Sequence, residues 1–445
     1  MNISKTLRTT TLLGATLVTV ALSGPAAQAR AVRLDVAMGQ PVLLAEQTQR
    51  AFLKIDLTGL EPADRVDRAP VNVALVLDKS GSMGGEKIRR AREAAIMALQ
   101  RLGHKDIASV VAYDDSVEVL FPATRINERR AMERAIERIQ AGGSTALFAG
   151  VSKGAAEVRK FLDREHVNRV VLLSDGLANV GPSSPSALGR LGRDLAKEGM
   201  SVTTIGLGLG YNEDLMTQLA RNSGGNHAFA ENGTDLARIF DSEFSDVLSV
   251  VAQDVEIHIH CGDGIRPLRV LGRDAEIYGQ DVSLDLSQLY GNQTKYLVLE
   301  IEAPARPAGE RMRVARVTAR YDDMASKRKE DLSAEVEISF SASEKEVEER
   351  VDAAVMAPAV EQIAIEKSKK AVELRDQGRI EEARSVLQES AATLGQSAQR
   401  FASPALDELK SIQEQDAEGL ADKDWNRQRK LMRKEQYKRE TQQSY

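Results

Sequence analysis

Asp78-Lys79-Ser80-Gly81-Ser82 closes the apolar run 71–77 and stands just ahead of a stretch with helical spacing. A carboxylate and two hydroxyls at alternate positions can turn to one side of a tight loop, and Gly81, Gly84 and Gly85 let the backbone bend there. Such a loop at the carboxyl end of a strand is where open α/β sheets bind ligands. Two further polar groups follow in the same kind of setting. Gly142-Gly143-Ser144-Thr145 offers a hydroxyl before a helical stretch, and the apolar run 170–173 leads through Ser174 into Asp175 and Gly176. Asp78 and Asp175 could also be plain strand-end caps, with Ser80 and Ser82 as turn residues.

The surrounding rhythm says which elements carry these residues. Over 71–240, apolar strand-like runs alternate with amphipathic helical ones, the pattern of a parallel sheet covered by helices on both faces. Strands are expected at 71–77, 107–113, 117–121, 169–173, 202–205 and 227–230. The second and third are close enough for an antiparallel hairpin through Asp114-Asp115-Ser116. About six helices fill the intervals, the last over 236–251.

The arrangement resembles the von Willebrand factor type A domain, whose metal-ion-dependent adhesion site uses an Asp-x-Ser-x-Ser loop, a distant Thr and a distant Asp. The resemblance covers about 70–250 and implies the site Asp78, Ser80, Ser82, Thr145 and Asp175. The flanking organisation is also similar to that of exported bacterial proteins with such a domain and, more distantly, of inter-alpha-trypsin inhibitor heavy chains. What it implies is a bound Mg²⁺, with Mn²⁺ or Ca²⁺ as alternatives, and a partner protein that supplies an Asp or Glu to the ion. Oxygen-only donors with few charges suit such hard cations, which readily keep water in their shell.

Other chemistries are poorly represented. His258-Ile259-His260 puts two imidazoles on one strand face with no evident third ligand, and His104, His166 and His227 stand apart. Gly206-Leu207-Gly208-Leu209-Gly210 lacks the spacing of a dinucleotide fingerprint, and neither a phosphate-binding Walker loop nor a nucleophile elbow occurs. The single cysteine, Cys261, excludes an internal disulfide framework.

The flanks have a different period. Residues 30–69 and 251–342 alternate apolar and polar positions by two, as at Val255, Ile257 and Ile259, so they read as half-buried antiparallel strands. Residues 30–69 supply too few strands to bury a face alone. One β-sandwich built from both flanks, with the α/β domain of 70–250 inserted, is the economical solution. Helical spacing returns at 343–400 as a hairpin turning at Asp376-Gln377-Gly378, with Pro358 as a kink point. A polar, partly basic tail is expected over 401–445. Eight Lys or Arg fall within 423–439, read as a solvated tail or terminal helix, with peripheral contact to an anionic surface as the alternative.

Residues 1–29 read as an export signal: Lys5 and Arg8, an apolar stretch, then Ala27-Gln28-Ala29 as a cleavage site. Setting them aside takes the net charge of the 445-residue chain from −6 to −8, which does not favour nucleic acid as a partner. No later stretch is apolar enough to span a membrane. The sequence thus reads as an exported, periplasmic or extracellular, non-enzymatic protein that binds another protein through a metal. Alternatives are an assembly scaffold that binds through the helical hairpin with a structural metal, and an accessory protein of a hydrolase or channel.

Overall fold

The computed structural model describes residues 30–61 and 68–443. The chain opens with β1 (Val32–Met38), β2 (Val42–Leu44) and β3 (Gln49–Gly59). Side chains along β3 alternate strictly, so Ala51, Leu53, Ile55 and Leu57 are buried and their neighbours are not. Burying one such Leu or Ile stabilises by roughly 1.5–3 kcal/mol.

The α/β unit follows, with β4 (Val71–Asp78), α1 (Glu86–Gln100), β5 (Ile107–Tyr113), β6 (Val117–Arg125), α2 (Arg129–Glu137), α3 (Leu147–Arg159) and β7 (Val167–Ser174). It closes with α4 (Pro185–Lys197), β8 (Ser201–Leu207), α5 (Glu213–Ser223), β9 (His227–Ala230) and α6 (Gly233–Leu248). The strand order is β6-β5-β4-β7-β8-β9. All neighbours are parallel except the β5–β6 hairpin. β4 is buried throughout because both of its faces are covered: Val73, Leu75 and Leu77 join one core with α1 and α6, and Ala74 and Val76 another with α3. The chain leaves β4 for β5 on one side and β7 lies on the other, so the order reverses between β4 and β7, where Asp78 and Asp175 emerge.

Strands then return as β10 (Val250–Cys261), β11 (Arg266–Leu271), β12 (Glu276–Tyr278), β13 (Asp281–Tyr290), β14 (Thr294–Ala303), β15 (Arg311–Asp323) and β16 (Arg328–Ser341). Two sheets result, β1-β3-β14-β11 and β12-β13-β10-β15-β16-β2. β3 lies between β1 and β14, with Ile55 opposite Leu297 and Leu53 opposite Leu299. One core joins Leu53, Ile55 and Leu299 of the first sheet to Ile257, Leu286 and Val317 of the second. The expected architecture, a doubly wound, mostly parallel six-stranded sheet set into a β-sandwich, is therefore present.

Five helices complete the chain: α7 (Glu344–Glu349), α8 (Ala353–Asp376), α9 (Ile380–Phe401), α10 (Pro404–Gly419) and α11 (Trp425–Thr441). α8 and α9 form the expected hairpin through Gly378, whose φ of 80° suits glycine, and Pro358 lies inside α8. The segment read as a polar tail or terminal helix is largely helical, and what its sequence did not announce is where it docks. It forms α10 and α11, and α11 docks on the α/β unit. Tyr437 donates to the Gly225 carbonyl at 2.7 Å, and Lys430, which is buried, donates to the Tyr211 carbonyl at 2.9 Å and to Glu213 at 2.5 Å. Most of the basic residues are engaged within the chain: besides Lys430, Arg427 pairs with Glu231, Arg429 with Asp214, Arg433 with Asp214 and Arg439 with Glu361. Charge that the sequence offers to an anionic surface is thus met by carboxylates of the same chain, several of them some 200 residues away. Among the described residues no helix is long and apolar enough to cross a membrane.

Candidate metal centre

Asp78 ends β4 completely buried, and its carboxylate is held from three sides. Oδ1 accepts the Ser80 backbone N–H at 2.8 Å, a local turn that bends the loop. Oδ2 accepts from Ser174 Oγ at 2.6 Å and, more weakly, from Tyr113 at 3.4 Å. Burial raises the Asp78 pKa, the hydrogen bonds from Ser174 and Ser80 oppose it, and the charge of Asp175 adds to the rise.

Backbone hydrogen bonds stitch this loop to the next. Gly142 N–H donates to Lys79 O at 2.8 Å and Gly81 N–H to Gly143 O at 3.0 Å. Gly143 has φ 76°, and a Cβ there would stand 3.0 Å from that of Asp114. Lys79 pairs with Asp114 beside this crossing. Burial pushes the Asp114 carboxyl up, but the Lys79 and Ser116 hydrogen bonds outweigh it and leave the group at about 2. Thr145 is buried and fixed by its backbone: its N–H donates to Asn179 Oδ1 at 2.8 Å, and its carbonyl accepts from Asn179 and Val180.

Four of the five expected residues come together around Gly176, with Asp78 behind them. A Cβ placed on that glycine would lie 3.2 Å from Ser82 Oγ, 3.2 Å from Thr145 Oγ1 and 3.8 Å from Ser80 Oγ. Ser80 and Ser82 are 3.1 Å apart at Oγ, and Ser82 donates to Asp175 Oδ1 at 2.6 Å. Three hydroxyls and the Asp175 carboxylate thus face one small space next to a residue without a side chain, and Asp78 is tied to them through the Ser80 N–H. The donor set fits a hard divalent cation, with water completing the six oxygens that Mg²⁺ requires. Among the described residues no group of three or more His, Cys, Asp or Glu is placed to hold a metal, so hydroxyls are an essential part of any site here.

Sequence reasoning missed Lys87. Its ammonium, from the first turn of α1, hydrogen-bonds Asp175 Oδ2. A lysine next to Glu86 at a helix start looks like surface charge, and only the fold brings it over Asp175. The rival candidates separate in space. His258 and His260 lie exposed on β10, where His260 Nδ1 is 2.7 Å from Asp281. Cys261 is buried in the sandwich core, and burial pushes its thiol up to about 11.

Residues 72–242 match the von Willebrand factor type A domain. In this family a divalent ion is commonly held at the adhesion site and proteins are commonly bound. An uncharacterised protein of Synechocystis sp. is 26% identical over 273 residues, 59% of this chain and 64% of the relative. Mouse inter alpha-trypsin inhibitor heavy chain 4 is 29% identical over 163 residues, 35% of this chain and 17% of the relative. The chain thus spans less than two thirds of the length of these relatives. Among solved structures, a von Willebrand factor type A protein from Catenulispora acidiphila superposes with TM-score 0.68 at 16% identity, covering 86% of this chain and 91% of the other. The ArnB paralog VWA2 from Sulfolobus acidocaldarius gives 0.62 at 17% identity, covering 94% and 100%. At these identities the likeness is one of fold.

Proposed function

We propose that this chain, through its von Willebrand factor type A domain, is an exported, non-enzymatic binding protein that engages an acidic side chain of a partner protein at a Mg²⁺ site. Asp78, Ser80, Ser82, Thr145 and Asp175 would hold the ion. When bound, it supplies a point of positive charge able to accept one more carboxylate. The observation that carries this reading is the convergence of three hydroxyls and Asp175 on the side-chain-free Gly176. Ser82 is exposed while Asp78, Ser80, Thr145 and Asp175 are buried, so the cluster reaches solvent at Ser82.

The export part rests on residues 1–29, which lie outside the described residues. The scaffold alternative, binding through the helical hairpin, is less well supported because α8 is occupied by its own chain: Ala359 packs on Leu271 and Val298 of the sandwich. Affinity capture from the native exported fraction, with full-length chain as bait, tests the proposal. A partner retained in Mg²⁺ and released by chelator, and not retained by Asp78→Ala, supports it. Capture undiminished in chelator, with metal removal verified, would overturn it.

A further inference from the structure

A cleft of about 360 Å³ opens where α5, β13, the start of β14 and α11 meet, away from the Asp78 loop. Five basic side chains line it, and most have an evident role. Arg221 forks onto Glu440, which also takes Lys369. Arg193 donates to Asn222 at 2.8 Å and, like Lys197, lies near the carboxyl end of α4, where cations are favourable.

Arg273 and Lys295 have no such account. Arg273 makes one hydrogen bond, from Nη2 to Gln442 Oε1 at 3.1 Å, and its Nε is shut off from solvent with no partner. Lys295 has no hydrogen bond or ion pair to a described residue. Its ammonium stands 5.1 Å from the centre of the Tyr290 ring. Burial, then Arg273 and Arg169, bring its pKa down to about 7, and burial lowers that of Arg273. The acids that line the cleft besides Glu440, Asp274 and Asp285, are exposed, and neither pairs with Arg273 or Lys295. Two neighbouring half-buried cations with no direct ion pair, Arg273 faced only at longer range by Glu440 and Lys295 by Asp246 and Glu243, remain costly to keep, and a contact with an aromatic face offsets only about 0.5–2 kcal/mol. An anion from outside would remove the cost. A planar guanidinium beside a compact ammonium matches a phosphate, which accepts a fork on two oxygens and a point charge on a third. The Ser287 hydroxyl lines the same cleft.

We propose that this cleft is a binding site for a phosphate group, free or as a small phosphate monoester, held by Arg273 and Lys295. The site is independent of the metal.

Thermal unfolding of the full chain, in chloride and in inorganic phosphate at matched ionic strength, tests this. Phosphate should raise Tm by an amount that grows with the logarithm of its concentration, with or without chelator. Lys295→Gln should abolish that response and, by relieving the repulsion from Arg273, unfold at the same or a higher temperature than wild type in chloride. Arg273→Lys, which keeps the charge and loses the fork, should need at least fivefold more phosphate for the same rise. A larger rise with glycerol phosphate than with phosphate marks the monoester as the ligand, and an equal rise marks the free ion. No rise above the chloride control, the same rise in both variants, or an equal rise with acetate would each overturn the proposal. So would a lower Tm of Lys295→Gln in chloride, because it would show that the ammonium is already paired.

Discussion

Lys87 and Asp175 form an ion pair at the heart of the candidate metal centre: the ammonium takes Asp175 Oδ2 while Ser82 takes Oδ1. Asp175 is fully buried and Lys87 is about one third exposed, so the carboxylate is fixed and the lysine is the member free to withdraw. A tethered cation thus occupies an oxygen of one of the residues that would hold the ion.

Replacing Lys87 should therefore have opposite effects on the free and the metal-bound protein. Lys87→Met leaves the buried Asp175 charge uncompensated, so Tm in chelator should fall. It also removes a competitor, so the Mg²⁺-induced rise in Tm should be larger than in wild type, and calorimetry should give a lower Kd. Weaker Mg²⁺ binding by Lys87→Met would instead make the lysine part of the site's support.

Gly176→Ala tests the convergence of the hydroxyls directly. A methyl group there would fall 3.2 Å from both Ser82 Oγ and Thr145 Oγ1, in the space the donors share. The Mg²⁺ response should be lost with little change in the metal-free Tm. Thr145→Ala should behave alike, since the loop is held by the Thr145 backbone and not by its hydroxyl. Asp78→Ala should lose the response as well as stability, because Ser174 Oγ and the Ser80 N–H lose their acceptor, at roughly 1–3 kcal/mol for an unsatisfied buried group. A response retained by all three would place the ion elsewhere.

The sequence makes most strands of the three sheets legible because burial imposes a period on them: two where one face is covered, as in β3 and β10, and a mostly apolar run where both are, as in β4 and β7. Asp78, Ser80, Ser82, Thr145 and Asp175 could be located for a related reason, since each follows a recognisable strand end or precedes a helix. What local spacing could not reveal is pairing between polar groups far apart in the chain. Lys87 over Asp175 is one case. α11 is the larger one: its buried face includes Lys430, Gln436, Tyr437 and Glu440, so no apolar stripe announces it. Its docking is decided by Glu213, Arg221 and Gly225 more than 200 residues earlier.

Asp416 should give the helical region a pH dependence of its own. It is buried on α10, where burial and then the charge of Glu435 raise its pKa to about 7 from an ordinary 3.8, against the hydrogen bond from Gln428 at 2.7 Å. Between those values the folded chain keeps a proton that the unfolded chain has released. The contribution is complete below about 3.8 and is lost as pH rises through about 7, on the order of 4 kcal/mol at 1.36 kcal/mol per unit. Asp416→Asn keeps the acceptor for Gln428 and removes the titration. Urea unfolding at pH 5.5 and pH 8.5 should show the variant gaining on wild type at the higher pH. A difference that is the same at both would count against a protonated Asp416.

The strongest test of how the two halves are joined is Arg169. It is fully buried on β7, with Nη1 donating to Glu243 Oε1 of α6 at 2.5 Å and to Thr203 at 3.0 Å. Nη2 donates to Gln288 and, at 3.1 Å, to Tyr290 of the sandwich. Glu243 also accepts from Asn226 at 2.8 Å. Burial disfavours the guanidinium charge, but Tyr290 and Glu243 outweigh it and raise the Arg169 pKa. Removing the cation alone should be severe: Arg169→Met takes from the buried Glu243 the guanidinium that donates to it, a loss of roughly 3–5 kcal/mol. Removing the charge from both should be much milder, because Glu243→Gln still serves Thr203 and Asn226. The double variant Arg169→Met/Glu243→Gln is therefore expected to recover more than half of the loss, and the cycle to show coupling of at least about 1 kcal/mol. Gln288→Ala should also cost stability, although it lies outside the α/β unit, since it takes an acceptor from the same guanidinium. Additive losses in the cycle, or a silent Gln288→Ala, would mean that apolar packing and not this network fastens the von Willebrand factor A domain to the sandwich.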